Sequence, residues 1–584
     1  MQIVIKKNAV LAAILALVST YALGGMLKTS QDLHILSNSI LGVAVFVALI
    51  YFFNQTLNMK TSKRLVVITS IMGSVFSFWM ICGMNVLLYN TTNLNHFMTW
   101  FKIICGIPLM MSLSIMILAK GVDNINRLVL AKPIEQWLSR FFTYQKSFFI
   151  IWILIFVAWL PGLIASFPGV YGYDSVYQVG YYLSGKIYLH QPLIDTYLIS
   201  FCVVNLGKLF GNRELGMLVY SIFQMLILSA SFAAVIRFMT QRKVSMLIKS
   251  VFLLIFMFLP INPIMSFSAT KDIIYSATLI FVLIMMLNFV QDPKLLNHNK
   301  YIGMFIFIVF INMIFRSQGV YVFIFSAIFG LFCLRKYWKR MLIIIIAPLL
   351  LYVVYSGPIT SVLNGEKFDS IHEMLSVPCV QLSRAAYYDR SELTISEKKQ
   401  VKQYIPDYTT IKATPAISDS MKNTFNTPLF RKNPSRFITL WAKIGMKKPL
   451  TYVDAFARIT IGLWYPDMNY RDPQAWHPYW EYTSTQQNSK GTYYIVGRKT
   501  PKGMEWLAHI YSKLTYNNSY QKVPVLSLLF SSGFYAWVMF YYIAWCIYKK
   551  RYQYLYPAAV VFGLWLTLVL GPVVLYRYVF PIAV

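Results

Sequence analysis

Charge is what this sequence has least of: 13% of its 584 residues are Asp, Glu, Lys or Arg, against about a quarter in water-soluble domains. That shortage excludes an ordinary soluble enzyme. Acids are the scarcest, 21 against 53 basic residues. Cysteine is sparse too, and Cys82, Cys105, Cys202, Cys333 and Cys546 sit in apolar runs, leaving only Cys379 in a polar region. Neither a disulfide framework nor a sulfur-bound metal follows from them. There is no His-Glu-x-x-His, Gly-x-Ser-x-Gly, Walker A or dinucleotide fingerprint, so ATP-driven transport and serine hydrolysis lack support. Repeats of solenoid period and low-complexity tracts are also missing.

What the chain has is apolar length: 57% hydrophobic and 17% aromatic residues, with a mean hydropathy of +0.55. A spanning helix needs about 20 mainly apolar residues. Candidates lie near 8–27, 33–53, 65–89, 98–119, 147–167, 215–237, 246–263, 272–291, 301–315, 319–334, 341–357, 523–547 and 555–580. The expectation is an all-α polytopic membrane protein with about 13 transmembrane helices. With that count every basic cluster falls on one side: Lys6/Lys7, Lys60/Lys63/Arg64, the Lys120–Lys146 loop, Arg237/Arg242/Lys243, Lys294/Lys300, Arg335–Arg340 and Lys549–Arg551. Positive-inside bias makes that side, and the N-terminus, cytoplasmic. It also accounts for the formal charge of +32, so no nucleic-acid partner is inferred. Ala9–Met26 reads as a retained anchor, because no small-residue cleavage site leads into a soluble domain.

Leu193–Phe210 is a short apolar run holding Asp195 and Lys208, and counting it as a span would invert every later loop. It is expected to lie along the outer face, or to dip in, without crossing. Four divisions follow: 1–146, four N-terminal helices; 147–357, a membrane core with a first outer loop over 167–214; 358–522, an extracytoplasmic domain; and 523–584, a terminal hairpin. The third division holds 13 of the 21 acids, and its Pro, Asn and Tyr punctuation predicts a compact mixed domain with short helices. Within it, the helical spacing of Met374, Val377, Val380 and Leu382 suggests a helix packed on the bilayer surface.

Carboxylates beside lipid are expensive and tend to be kept for a purpose. Asp174 follows a span in Pro168-Gly-Val-Tyr-Gly-Tyr173-Asp174-Ser, where it either works chemically or caps the next helix. Tyr173 and its neighbouring tyrosines can stack on a sugar or sit at headgroup level. Lys271, Arg316 and Arg577 reach the outer boundary against the general bias; each can grip a phosphate, snorkel toward headgroups or pair with Asp272. His190-Gln191-Pro-Leu opens the non-crossing segment. With Asp174 and Asp195, His190 can complete a hard-cation or acceptor site.

These motifs, in this order, resemble the GT-C superfamily of integral-membrane glycosyltransferases that use polyprenyl-phosphate-linked sugars, from about Phe148 to the C-terminus. The likeness rests on Asp174 in the first outer loop, His190-Gln-Pro-Leu193, Phe210-Gly-x-x-Glu214, Lys271-Asp272, Arg316-x-x-Gly319 and Arg577-Tyr-x-x-Pro581. It is nearest to an uncharacterised bacterial branch. The family's paired acids are reduced here to Asp174 followed by Ser175, and a Mg or Mn ion, where the resemblance extends to one, would have Asp174 and His190 as its holders.

The resemblance implies an inverting transfer of sugar to an envelope glycan, lipid or protein acceptor at the outer face of the plasma membrane. Asp174 would be the base and Arg577, Lys271 and Arg316 would hold the donor phosphate. Tyr173, His190, Gln191, Asp195 and Asp272 would support acceptor or sugar. Trp464-Tyr-Pro-Asp467 and Trp476-His-Pro-Tyr-Trp480 are sugar platforms or structural packing. The alternatives are a lipid-linked oligosaccharide polymerase or ligase, a transporter or flippase, and a non-catalytic scaffold. A transporter should carry ionisable residues at midplane and inverted repeats, and neither is evident.

Overall fold

In lipid, a chain must satisfy its backbone polar groups internally, which favours helices, and the protein is built from them. The computed structural model describes residues 7–27, 40–121, 132–363, 365–366, 369–468, 499–515 and 526–584. Among these, eight helices are long and apolar enough to cross a membrane, with shorter apolar helices beside them. This is an all-helical membrane protein.

The N-terminal helices are α1 (Lys7–Leu23), α2 (Ile40–Leu57), α3 (Lys63–Tyr89) and α4 (Phe97–Met116). An amphipathic helix, α5 (Lys132–Thr143), leads to α6 (Ser147–Ala165). The first loop contributes β1 (Val170–Tyr171), α7 (Tyr173–Ser184), β2 (Ile187–Tyr188) and α8 (Leu193–Ser200) before α9 (Arg213–Gln241) and α10 (Met246–Phe258). Then come β3 (Ser268–Ala269), α11 (Lys271–Gln291), α12 (Asn299–Phe315), α13 (Gln318–Cys333), α14 (Trp338–Val354) and β4 (Gly365–Glu366). The outer segment holds α15 (Ser376–Tyr388), α16 (Pro434–Lys447), α17 (Pro449–Thr460) and α18 (Glu505–Thr515). The chain closes with α19 (Ser532–Tyr548), α20 (Leu555–Val569) and α21 (Tyr576–Ala583).

Of the eight long helices, α11 is the most enclosed. Its neighbours form one cluster around buried Trp159, which stacks edge-on against Phe232, and a second around Phe289, Phe305 and Tyr556. The basic turns meet at one end of the bundle: Arg64 bonds Tyr552, Cys333 bonds the Tyr552 carbonyl, Arg340 bonds Asn299 and Arg242 bonds Asn288.

Several expectations need correcting. The apolar stretch 555–580 is no single helix: α20 ends at Val569, Gly571-Pro572 breaks it, and Arg577 opens the separate α21 instead of closing a span. Proline cannot donate to the preceding turn, so the helix stops there. Leu193–Leu209 is a continuous helical run with a π-helical turn at Phe201–Leu206, laid along the first turns of α9. A Cβ on Gly216 would come 2.2 Å from the Cys202 carbonyl oxygen, so only glycine permits that approach.

The outer segment, expected to be mixed, is helical among the described residues apart from two-residue β4. In the helix foreseen around Glu373–Ala385, Val380 and Leu382 turn inward while Met374 stays exposed. Cys379, Val380, Leu382 and Ala385 are fully buried beside Tyr404 and Phe437, in a core of the segment's own. The turn between α3 and α4 holds this segment: Asp454 accepts from the Thr91 hydroxyl (2.7 Å) and from the Thr92 amide and hydroxyl (2.8 and 2.5 Å). Trp464 and Tyr465 are buried, with the Tyr465 hydroxyl donating to the Met26 carbonyl at 2.9 Å. They are packing residues, not sugar platforms; Trp476–Trp480 lies outside the described residues.

Candidate active site

Two short parallel strands assemble the site. β1 pairs with β3, Val170 opposite Ser268 and Tyr171 opposite Ala269, so α7 and α11 start side by side and present Asp174 and Lys271-Asp272 together. Gly172 makes the join possible: its amide donates to the Ala269 carbonyl at 3.2 Å, and a Cβ there would sit 2.7 Å from that oxygen. The Gln224 amide supports β3 from α9, donating to the carbonyls of Ser266 and Ser268 at 3.3 and 2.9 Å.

Gly172, not Asp174, is the N-cap of α7. The Asp174 carboxylate is held by two cations on one oxygen, Lys271 Nζ at 3.4 Å and Arg577 Nη1 at 3.2 Å. Burial pushes this carboxyl up, but Arg577, Lys271 and His190 outweigh burial and hold it well below the usual carboxylate range. Lys271 also donates to Gln191 Oε1 at 2.5 Å. One residue on, Asp272 is fully buried and pairs with Arg316 at 3.0 Å. Thr270 caps α11 and donates its hydroxyl to Asp272 at 3.0 Å. The ring of Tyr578, which the sequence did not single out, lies under both guanidinium groups, 5.2 Å from Arg316 and 4.8 Å from Arg577.

Two cavities meet at Asp174. One, of about 650 Å³, runs past Lys271, Arg316 and Gln191 to Tyr352, Tyr355 and Ser356 near the end of α14 and to Leu568 and Leu570 at the end of α20. The other, of about 370 Å³, opens toward the outer segment, past Arg577, Tyr177, Asp419, Lys422 and Asn423. Asp174, His190, Glu373 and Tyr578 line both. Burial and the Lys271 charge push the His190 imidazole below its ordinary value, favouring its neutral form. Above it Lys422, almost wholly buried, bridges Glu373 and Asp419.

Glu373 and Lys422 had no motif to reveal them. The outer segment reaches the site through β2 pairing with β4 and through Ser418, whose amide and hydroxyl both donate to the Pro572 carbonyl, at 3.0 and 2.9 Å.

Of the residues singled out from sequence, Asp174, Lys271, Arg577, Arg316, Gln191, His190 and Asp272 come together. Asp195 does not: it is buried away from the cavities, accepting from Gln178 at 2.8 Å and the Tyr220 hydroxyl at 2.9 Å. Burial raises its carboxyl. Tyr173 begins α7, and its side chain lies outside what is described. A divalent cation does not fit these donors. Asp174 is engaged by two cations and Asp272 by a third, and no group of three or more metal-ligating side chains occurs among the described residues.

Fold and site together define a polytopic helical membrane protein with a charged, two-sided site at one end of its bundle. The chain belongs to the DUF6020 family, a family of unknown function whose model matches residues 187–584. That match takes in every charged residue of the cluster except Asp174, which stands just upstream. Nothing matches the chain among curated proteins or solved structures.

Proposed function

We propose that the protein is a membrane glycosyltransferase that moves a sugar from a polyprenyl-phosphate donor to an extracytoplasmic acceptor of the cell envelope. The observation that carries the reading is a carboxylate clamped by Lys271 and Arg577 where two cavities meet. The larger cavity, with cations at its head and Tyr352, Tyr355, Leu568 and Leu570 at its side, suits a lipid phosphate. The smaller, polar cavity under the outer segment suits the acceptor.

In the displacement, Asp174 accepts the proton of the acceptor hydroxyl as that oxygen bonds the anomeric carbon. The bond from that carbon to the donor phosphate oxygen breaks with inversion. The leaving phosphate needs cations more than a proton, and Lys271, Arg577 and Arg316 are in reach. A phosphate shared by these cations also loosens their hold on Asp174 and makes it a stronger base. Gln191 orients Lys271, Asp272 holds Arg316, and His190 walls both cavities.

In this reading the chain crosses a bacterial plasma membrane thirteen times, by the eight long helices with α1, α10, α12, α13 and α19. The basic end is cytoplasmic and the site faces out. The test is sugar transfer in membranes supplied with radiolabelled polyprenyl-phosphate sugars, parent against Asp174→Asn at matched expression. Transfer that vanishes in the variant supports the assignment. Equal transfer removes Asp174 from the chemistry, and no transfer by either removes the reading.

A further inference from the structure

A third cavity, of about 630 Å³, lies in the membrane bundle away from the Asp174 site. Helices α9 and α12 both pack on α11, and their basic-end halves leave a groove between them with α11 as its floor. The floor is one helical face: Thr278, Phe281, Met285 and Asn288 recur every three or four residues. Its walls are apolar, with Met304 and Phe307 47% and 61% exposed at the mouth, so the groove opens sideways to lipid.

Depth and charge say what fills it. From Thr278 to Asn288 the floor runs about 15 Å at a rise of 1.5 Å per residue, half of a hydrocarbon core about 30 Å thick. The groove is one leaflet deep. It is closed at midplane, where Asn312 donates to the Thr278 hydroxyl at 2.9 Å. At its other end stand Arg237, Gln241 and Asn288, and Arg242 donates to Asn288 at 2.8 Å. Asp292, the acid closing α11, accepts instead from the backbone amide of Lys294.

We infer that this groove is a binding site for one anionic phospholipid of the cytoplasmic leaflet, its acyl chain along α11 and its phosphate at Arg237. Basic pockets between spanning helices on the cytoplasmic side take anionic headgroups. The inference rests on the membrane orientation read from the basic turns, and not on the transferase reading.

The test is native mass spectrometry of the full chain released from detergent with equimolar phosphatidylglycerol and phosphatidylcholine. One phosphatidylglycerol should be retained in preference. Arg237→Gln, at an exposed position, should lower that retention about fivefold, from about one basic contact at the membrane surface. Ala234→Trp, which fills the groove, should abolish it while leaving the melting temperature unchanged. Equal retention of the two lipids, or retention indifferent to both substitutions, overturns the inference.

Discussion

Lys271→Met isolates one of the two charges on Asp174. Lys271 and Arg577 lie 3.4 and 3.2 Å from the same carboxylate oxygen, and together with His190 they overcome a burial that acts the other way. One opposite charge this close is worth about one to three pH units on a carboxyl, or about 1.4–4 kcal/mol between the two protonation states. The sign follows from the depressed folded value. Asp174 contributes stability that is complete above the unfolded value near pH 3.9 and is lost as pH falls through the lower folded value. Removing Lys271 therefore costs stability at neutral pH and moves protonation of Asp174 back toward the ordinary range. The assay is infrared difference spectroscopy of the carboxyl band, with Asp174→Asn as the blank, over a pH titration. At about pH 4, where an ordinary Asp is half protonated, the parent should show no protonated Asp174 and the variant a clear band. Adding polyprenyl phosphate to the parent should shift the titration upward, because the phosphate takes a share of both cations. A parent already protonated at that pH, or a variant with an unmoved titration, would refute the electrostatic account of the site.

Other substitutions test the frame around the site. Asp272→Asn leaves the Arg316 charge buried without its partner and should cost about 3–5 kcal/mol, read as a thermal midpoint several degrees lower in detergent; a loss under about 1 kcal/mol would mean the pair is not buried as described. Gly216→Ala forces a Cβ against the Cys202 backbone and should cost about 1–3 kcal/mol. Gly303→Ala, in a helix with nothing within 4 Å, should be neutral or gain up to about 1 kcal/mol, so equal effects of the two would contradict the packing. Asp454→Ala removes three hydrogen bonds to Thr91 and Thr92 and should speed limited proteolysis across 369–468 without lowering helical content by circular dichroism.

The readable part of the site was its chemistry residue by residue. Asp174, Lys271, Arg316 and Arg577 stand out because an ion at the edge of an apolar helix is costly. Asp195 stood out for the same reason and is buried among neutral partners, Gln178 and Tyr220, because cost alone does not tell a packed polar group from a working one. Tyr578, Glu373 and Lys422 were invisible: a tyrosine is ordinary in an apolar hairpin and charged residues are ordinary in a polar segment, and only their position against the cluster distinguishes them. The break after α20 was masked by an apolar run continuing through Gly571-Pro572-Val573-Val574-Leu575, where hydropathy hides the backbone interruption.

Composition and periodicity by themselves determined that the chain is helical and lives in a bilayer, since an apolar stretch of spanning length has no other way to satisfy its backbone. They also ordered the loops by charge, because that bias is a property of each loop alone. Tertiary structure decided the rest. Two-residue parallel strands bring loops about a hundred residues apart into register, and a carbonyl at Pro572 clasps Ser418. The turn between α3 and α4 and the chain just after α1 hold the outer segment through Asn90–Thr92 and Met26. Such contacts depend on the mutual placement of elements distant in the chain, and no local pattern of residues encodes that placement.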